Sequence, residues 1–417
     1  MKKIFHSVRG TCDFYPPQTF IIEKIIEKAK RIFEIFGYEP ILLPHLEEEG
    51  LFKKGIGTTT DIVEKQMFKI ESKDVVLRPE ATAQVARFYI ENSLHKFKDF
   101  HKFYYIGAMF RGERPQKGRL REFHHIGAEA IGSENFYLDA EIIDVSLKIL
   151  KASGIDDLSL KINSLGCAKD KNKLSDSIKR KLRDYESVLC PDCKKRLTTS
   201  PLRILDCKKN SCQKIVSSLN IKSQHLCEGC HSHFFGLLAF LDELKIKYVY
   251  QPLLVRGLDY YTNTVFEITT CRLGSQDALG AGGRYNNLIY DLAGRVQIPA
   301  IGFALGLERM LLVSNLPKEY STIKVGVACT SSDIYRQAYK LTQTIRDEGV
   351  GCDIDYKGKS LKAQLKNFQK LGVPLVVIVG DAELKEGCII LRDMRESRQE
   401  KVKLEELRSI IKERLGA

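Results

Sequence analysis

The chain has 417 residues and a mass of 47.4 kDa, which is too long for one ordinary domain and indicates about two to three domains. Its 43% hydrophobic and 29% charged residues exclude a disordered protein. The net charge of +13 favours a polyanionic partner. Because no apolar stretch has the length of a signal-peptide core or a membrane span, we expect no membrane association and a cytoplasmic location.

The first elements follow from hydrophobic spacing. Apolar residues at helical intervals predict a helix over 20–36, and Gly37 suits its C-terminal cap. The next segment, 38–46, contains Pro40 and Pro44, which favours an extended edge or interface segment. A strand at 75–77 and a helix at 82–89 come next.

A long hairpin is predicted in the middle of this region. Two β-rich runs, 103–111 and 123–131, flank the polar loop 112–121, and such hairpins are antiparallel. Further along the chain, a strand is expected at 265–270. A run of small residues that becomes helical is expected over 301–313.

Two later regions differ in composition. The stretch 167–233 carries a charge of +8, more than half of the excess of the whole chain, and begins with an amphipathic basic helix formed by Leu174, Ile178, Leu182 and Tyr185. After about residue 318, strands at 323–328, 351–356 and 375–379 alternate with helices at 334–348, 361–371 and 404–415, which predicts a separate α/β domain. We therefore divide the chain into 1–165, 166–235, 236–318 and 319–417.

The hairpin loop is the richest candidate site. Residues 110–123, the loop with its strand ends, hold four arginines and a lysine. Each guanidinium group can bind two phosphate oxygens at once, so this segment can neutralise a triphosphate. For any single arginine, a solvated basic turn is the simpler interpretation. The chain has neither a phosphate-binding glycine loop nor a dinucleotide fingerprint. Bound ATP would therefore be held by arginines on an antiparallel sheet.

Three further segments combine polar groups with glycines. Segment 254–262 places an Arg, an Asp and two Tyr close together, which suits a zwitterionic ligand, although an ordinary loop could have this composition. The glycines of 280–285 predict either close backbone approach to a ligand or a tight turn. In 300–309, a strand of small residues leads into a helix that begins near an arginine.

In this order, these motifs resemble a known family. The Phe-Arg-x-Glu hairpin loop and the Gly-Leu-Glu-Arg helix are similar to motifs two and three of class II aminoacyl-tRNA synthetases, and 37–44 resembles motif one. Arg-Gly-Leu-Asp-Tyr-Tyr and the Gly-Gly-Arg-Tyr segment resemble the histidine signatures of histidyl-tRNA synthetases. The resemblance implies an α+β fold: a class II synthetase-like antiparallel sheet with flanking helices, a small, mostly helical insertion and a C-terminal α/β domain.

The resemblance also implies residue roles. Arg111 and Arg256 would be catalytic at the α-phosphate. The remaining ATP-binding residues would be Glu113, Arg119, Phe123 and Arg309, with Phe123 and Arg309 on either face of the adenine. Histidine would be bound by Glu80, Thr82, His125, Glu129, Arg256, Tyr260, Tyr261 and Tyr285. The family often has Gln at the position of His125, so the role of this residue stays open. Arg114 and Gln116 would face the tRNA acceptor end.

The cysteines form a second pattern. Cys190-x₂-Cys193 and Cys227-x₂-Cys230 could together hold one tetrahedral Zn²⁺, with Cys207, Cys212, His225, His231 and His233 as spare ligands. The alternative is a set of reduced thiols without metal. The positive charge of the stretch 167–233 favours binding to the phosphates of the tRNA acceptor stem.

The leading hypothesis is a histidine–tRNA ligase. Its substrates would be L-histidine, ATP with Mg²⁺ and tRNA(His); it would form a homodimer through motif one, and 319–417 would bind the anticodon arm. One rival is the catalytically inactive regulatory subunit of ATP phosphoribosyltransferase, which typically lacks the C-terminal domain and has eroded ATP-binding arginines. A basic RNA-binding protein without chemistry is a third reading, but it leaves the arginines and tyrosines unexplained.

Overall fold

The computed structural model describes residues 5–58, 60–71, 73–219, 221–274, 277–317 and 322–415. The polypeptide divides into two units, Met1–Lys318 and Glu319–Ala417. Within the described ranges, no helix has both the length and the apolar character required to span a membrane.

The first unit mixes strands and helices. Its strands are β1 (Glu39–Pro40), β2 (Leu46–Glu48), β3 (Phe68–Lys69), β4 (Val75–Leu77), β5 (His101–Phe110), β6 (Glu122–Ile131), β7 (Ser159–Ser164), β8 (Val249–Tyr250), β9 (Thr262–Thr269), β10 (Ala278–Arg284) and β11 (Ala300–Gly306). Its helices are α1 (Gln18–Ile35), α2 (Glu49–Ile56), α3 (Thr82–Glu91), α4 (Phe136–Ala152), α5 (Ala168–Leu182), α6 (Pro191–Thr199), α7 (Asn210–Ser218), α8 (Glu228–Glu243), α9 (Leu288–Ala293) and α10 (Leu307–Val313).

An eight-stranded sheet organises this unit, in the order β1-β5-β6-β11-β10-β9-β7-β8. The six inner strands are antiparallel to their neighbours, whereas the edge strands β1 and β8 pair in parallel. The predicted hairpin is confirmed, with His101 opposite Ile131 and Phe110 opposite Glu122. A small antiparallel sheet, β2-β4-β3, lies apart from it.

Helix α1 illustrates how spacing sets burial. Its Ile21, Ile25, Ala29 and Phe33 recur every four residues and are buried in the main core, together with residues of α4 and α8. The helix ends before Gly37, whose φ of +73° is readily adopted by glycine. Helix α4 was not predicted from the sequence, although most of its residues are buried.

The insertion is a cluster of short helices, as predicted. Helix α5 buries Leu174, Ile178 and Leu182 against a small separate core. Tyr185 lies beyond the end of α5 and is exposed, so its inclusion in the amphipathic helix was wrong. The chain leaves α5 in a short 3₁₀ turn at Arg183–Val188, which breaks the helical spacing.

The second unit has the predicted α/β character. It contains β12 (Val325–Cys329), β13 (Cys352–Ile354), β14 (Leu375–Val379), β15 (Cys388–Asp393) and β16 (Gln399–Lys403), with helices α11 (Tyr335–Asp347), α12 (Leu361–Lys370), α13 (Asp381–Lys385) and α14 (Leu407–Leu415). Its sheet runs β13-β12-β14-β15-β16. The first three strands are parallel, and β15 and β16, which were not predicted, extend the sheet as an antiparallel pair.

A buried ion pair fastens the main sheet to α4. The guanidinium of Arg284 at the end of β10 is fully buried and donates from Nε to Asp139 Oδ1 at 2.7 Å. It also donates to the carbonyls of Ser133 and Asn135, at 2.8 and 2.9 Å. Thr264 on β9 donates to the other oxygen of Asp139 at 2.6 Å. The arginine of the Gly-Gly-Arg-Tyr segment is therefore structural.

We predict that Arg284→Ala lowers the free energy of unfolding of the first unit by about 3–5 kcal/mol, because it leaves the carboxylate of Asp139 buried without its cation. Urea denaturation of the full chain measures the effect. The exposed Arg295 provides the control, since Arg295→Ala should change the midpoint little. Equal midpoints for the two variants would contradict this account of the pair.

Candidate active site

One cavity of about 400 Å³ in the first unit brings the predicted residues together. Arg111 from the hairpin, Arg256 from the loop before β9 and Arg309 from α10 all line it, although they are far apart in sequence. The other predicted residues that line it are Glu80, Thr82, Glu113, Arg119, Phe123, His125, Glu129, Tyr260, Tyr261 and Tyr285. Arg114 and Gln116 do not line the cavity; they are exposed in the hairpin loop.

The carboxyl of Glu129 on β6 forms the polar centre of one end of the cavity. It is 1% exposed and accepts hydrogen bonds from the hydroxyls of Thr82 and Tyr285, both at 2.7 Å. Tyr105 on β5 donates to it at 3.3 Å. Hydroxyls from three separate segments therefore hold one buried carboxyl in place.

Two glycines make room for this arrangement. A Cβ at Gly302 on β11, directly opposite Glu129 in the sheet, would overlap the Glu129 carboxyl. A Cβ at Gly127 would overlap the Tyr105 ring. By contrast, a Cβ at Gly282 would overlap the carbonyl of Gly302 and the Phe266 ring, and one at Gly283 would overlap the carbonyl of Thr264 and crowd the Tyr261 ring. Gly280 of the same segment lines the cavity, and close backbone approach to a ligand stays a prediction there.

Burial dominates the protonation of this region. It raises the pKa of Glu129 to about 8, against the lowering effect of the hydroxyls of Tyr285 and Thr82. Burial also raises the pKa of the Tyr105 and Tyr285 hydroxyls, so both remain proton donors at neutral pH. The Glu129 carboxyl can therefore carry a proton or release it near neutral pH, according to its partner.

A second buried carboxyl, that of Glu80, lies at the N-terminus of α3. The Glu80 oxygens accept from the backbone N–H groups of Thr82 and Ala83, at 2.7 and 2.9 Å, and so satisfy two free donors at the helix start. The hydroxyl of Tyr260 donates to Glu80 at 3.4 Å. Tyr260 also packs on Tyr261, with ring centroids 4.7 Å apart. The tyrosine pair is thus fixed against the helix.

The hairpin supplies the cationic side of the cavity. Arg111 donates from Nε to the carbonyl of Pro79 at 2.8 Å, and its guanidinium carbon lies 5.2 Å from the centroid of the Phe123 ring. The Nε of Arg119 lies 3.0 Å from the Glu113 carboxylate. These contacts fix the positions of the charged groups in the cavity.

Arg309 and Arg256 come from other elements. Arg309 donates from Nε to the carbonyl of Gly118 in the hairpin loop at 2.9 Å, and also to the carbonyl of Ala278. Arg256 forms an ion pair with Glu267 on β9, from Nη1 to Oε1 at 2.6 Å. The Nε of Arg256 is buried and has no hydrogen-bond partner among the described residues. It is available to an anionic ligand.

His125 lies on β6 between Phe123 and Glu129, and all three residues line the cavity. Burial and the nearby Arg111 hold its pKa well below the usual value, so the imidazole is neutral. Its Nδ1 is buried without a hydrogen-bond partner in the described part of the chain. Its ring centroid is 5.1 Å from that of Phe123.

Sequence reasoning missed several residues that line the cavity: Tyr105, Arg203, Asp206, Glu267 and Glu308. Glu308 is the acid of the Gly-Leu-Glu-Arg motif, and its carboxylate accepts from the backbone N–H of His124 at 2.9 Å. Alternation along β9 could have placed Glu267 on the same face as Val265. Nothing in the sequence indicated that the insertion contributes Arg203 and Asp206.

The predicted four-cysteine zinc site is wrong in its pairing. Cys190 and Cys193 group with Cys207 and Cys212, whereas Cys227 and Cys230 group with Cys167 and Asp170. Within each group, the candidate ligand atoms lie within 4.8 Å of one another. The two Cys-x₂-Cys pairs separate because one begins α6 inside the insertion and the other begins α8.

The predicted spare histidine ligands are engaged elsewhere. His225 Nδ1 lies 3.2 Å from the carbonyl of Lys222, and His233 Nε2 lies 3.1 Å from the carbonyl of Glu134. The ring of His231 stacks on Phe235. None of the three belongs to either cysteine group.

The mostly antiparallel sheet, with its arginine-rich hairpin beside a buried carboxyl, has the fold of a class II aminoacyl-tRNA synthetase. The family model for histidyl-tRNA synthetase matches residues 10–310, and the model for an anticodon binding domain matches 324–414. The chain belongs to the histidyl-tRNA synthetase family.

Full-length relatives support the same family membership. The chain is 43% identical over 407 residues to the histidine–tRNA ligase of Halothermothrix orenii, which covers 96% of this chain and 97% of the relative. It is 41% identical to that of Desulforamulus reducens, with 97% and 98% covered. The crystal structure of apo histidyl-tRNA synthetase from S. aureus has a TM-score of 0.80 at 30% identity and covers 98% of this chain and 100% of its own. These relatives confirm the predicted class II fold.

We predict that Glu129 makes the stability of the free protein fall as pH rises from about 5 to about 8. The folded carboxyl keeps its proton up to a pKa of about 8, whereas the unfolded one loses it near 4.5, so the folded state binds more protons in this window. Urea midpoints at several pH values, compared with those of Glu129→Gln, isolate this effect. A constant difference between the two proteins across the window would contradict the raised pKa.

Proposed function

We propose how this cavity performs the reaction of a histidine–tRNA ligase, the activity of the named full-length relatives. Histidine and ATP give histidyl-adenylate and pyrophosphate, and the histidyl group then passes to the 3′ end of tRNA(His), releasing AMP. The observation that carries the proposal is the convergence of Arg111, Arg256 and Arg309 on the cavity that holds Glu129. The regulatory-subunit alternative is not favoured, because the matched ligases extend over both units of the chain.

The first step joins two anions. A carboxylate oxygen of histidine attacks the α-phosphorus, the bond from phosphorus to the bridging oxygen breaks, and pyrophosphate leaves. Charge builds on the phosphoryl oxygens as this happens, and fixed cations lower the barrier by stabilising it. We assign this role to Arg111 and Arg256. The free Nε of Arg256 supports its contact with the histidine carboxylate and the α-phosphate.

The rest of the nucleotide would be held by the hairpin. We propose that Phe123 stacks on one face of the adenine and Arg309 on the other, an arrangement supported by the bond from Arg309 to the hairpin loop. Arg119 and Glu113, already paired at 3.0 Å, would bind the remaining phosphates and polar edges of ATP. ATP arrives with Mg²⁺, and the cavity carboxylates Glu113 and Glu267 fit the preference of that ion for oxygen ligands.

Histidine recognition would depend on buried polar groups. We propose that Glu129, Tyr261 and Tyr285 face the imidazole, since a carboxyl and hydroxyls can satisfy both ring nitrogens. Glu80, Thr82 and Tyr260 would hold the amino group. The neutral His125 would complete the wall without adding a competing positive charge. A pocket of this kind rejects analogues that leave its polar groups unpaired.

The tRNA would contact three regions. Arg114 and Gln116 are exposed on the hairpin loop, which suits contact with the acceptor end. The insertion 166–235 would grip the acceptor stem through its excess positive charge. The second unit, whose residues 324–414 match an anticodon binding domain, would bind the anticodon arm.

We also propose a homodimer, a cytoplasmic location and zinc binding by the insertion. The motif-one segment supports the dimer, because Leu42 is 95% exposed beside the edge strand β1 and Ile35 and Leu46 are exposed nearby in the sequence. The cytoplasm supplies the substrates and keeps thiols reduced, in agreement with twelve free cysteines.

Arg256→Ala should reduce histidine-dependent ATP–pyrophosphate exchange by about 100-fold or more, because one preorganised cation is lost at the transition state. The control is Arg272→Ala, which removes an exposed arginine outside the cavity lining and should leave the rate near wild type. Exchange that is supported equally by other amino acids, or unaffected by the Arg256 change, would overturn the assigned chemistry.

Removal of residues 319–417 should lower tRNA charging by about tenfold or more, because contacts with RNA phosphates are lost. ATP–pyrophosphate exchange should change much less, since the cavity lies within the first unit. Measuring both reactions on the same truncated protein tests this division of labour. A parallel loss in both would argue against it.

A further inference from the structure

We infer that the insertion and its base bind two zinc ions, one at Cys190, Cys193, Cys207 and Cys212 and the other at Cys167, Asp170, Cys227 and Cys230. We name these the inner site and the base site. The inference rests on the proposed zinc binding by the insertion and specifies its ligands and stoichiometry.

The inner site has the dimensions of a tetrahedral zinc centre. Four sulfur ligands at about 2.3 Å from one ion lie about 3.8 Å from each other. The sulfurs of Cys190 and Cys207 are 3.9 Å apart, and all four lie within 4.8 Å. Such a separation is too long for a disulfide, whose sulfurs are about 2.0 Å apart.

The surroundings of the inner site suit a structural metal. Cys193 and Cys212 are fully buried, and Cys207 is nearly so. The backbone N–H of Cys190 donates to the sulfur of Cys212 at 3.3 Å, and such bonds support the charge of a metal-bound thiolate. The cysteines share a small core with Leu174, Ile178 and other aliphatic residues of the insertion. A metal strengthens a core of this size.

The base site joins the two ends of the insertion. Cys167 and Asp170 lie where the chain enters α5, and Cys227 and Cys230 lie where it enters α8. The backbone N–H of Cys167 and the side-chain amide of Asn263 both donate to the sulfur of Cys230, at 3.2 and 3.4 Å. One zinc ion at the base site would join the start of α5 to the start of α8.

Asp170 gives the base site its fourth ligand. Its side chain is fully buried, and Oδ2 accepts from the backbone N–H of Cys227 at 3.0 Å. Oδ1 makes no hydrogen bond among the described residues, and the ammonium of Lys173 lies 3.6 Å from it. A buried carboxylate oxygen beside three thiols is suited to a cation, and zinc accepts this mixture of sulfur and oxygen ligands.

The experiment measures zinc in the purified full-length chain, without added chelator, by elemental analysis. The expected content is two zinc ions per chain. Cys212→Ser should remove the inner zinc and Cys227→Ser the base zinc, each leaving about one, and the combined variant should retain almost none. Cys12→Ser, at an exposed cysteine outside both groups, is the matched control and should retain two.

A second measurement serves if either serine variant fails to fold. Blocking the thiols of the wild-type chain in the presence of a chromogenic zinc chelator should release two ions. Asp170→Asn should weaken only the base zinc, so that one ion exchanges faster with the chelator and the other is unchanged. Release of two ions at unaltered rates in this variant would overturn the base site.

The remaining outcomes distinguish zinc binding in general from binding at the two assigned sites. One zinc per chain, lost in both serine variants, would overturn the two-site inference while keeping zinc binding, because one ion would then bridge the two cysteine pairs. One zinc lost in a single variant would overturn the other site. An active ligase without zinc would overturn both proposals and leave the synthetase assignment intact.

Discussion

The buried carboxyl of Glu129 is the constraint on which the catalytic end of the molecule depends. It requires hydroxyls from β5, α3 and the end of β10, so these segments must meet at one point. It also requires Gly302 on the neighbouring strand, where any side chain would overlap it. Without such partners, a buried carboxyl is expensive in free energy, and the sheet geometry around it is therefore narrowly specified.

The arginines of the cavity face a different constraint, because their positive charges repel one another. Arg111, Arg119, Arg256 and Arg309 concentrate positive charge in one cavity before any nucleotide is bound. Glu113 and Glu267 neutralise part of this charge, and carbonyls of Pro79 and Gly118 orient the guanidinium groups. Preorganisation of this kind would keep small the rearrangement that the proposed phosphate binding requires.

Much of this fold could be predicted because its signals are local. Periodicity predicted α1, and alternation with a polar loop predicted the β5–β6 hairpin. Strand β16 was missed because four of its five residues are polar or charged, and β15, with which it pairs, was missed despite its apolar run Ile389–Leu391. Motif spacing indicated the arginines, whereas Tyr105 carries no local signal and is recognised only when β5 lies beside β6.

The cysteines show most clearly what sequence spacing could not predict. Equal Cys-x₂-Cys spacing suggested that Cys190 and Cys193 share an ion with Cys227 and Cys230, yet spacing does not determine which pairs meet in space. Their partners, Cys207, Cys212, Cys167 and Asp170, are set by helix packing. The structural role of Arg284 was equally hidden, because it depends on Asp139, 145 residues away.

Lys171 connects the insertion directly to the backbone at Tyr261, which lines the cavity. From the first turn of α5, its ammonium donates to the backbone carbonyls of Asp259 and Tyr261, at 2.8 and 2.7 Å. Any tilt of α5 that accompanies RNA docking would pull on the two peptide groups that bracket Tyr260. With the proposed roles of the insertion and of Tyr260, amino-acid affinity and RNA affinity would be thermodynamically coupled, equally in both directions.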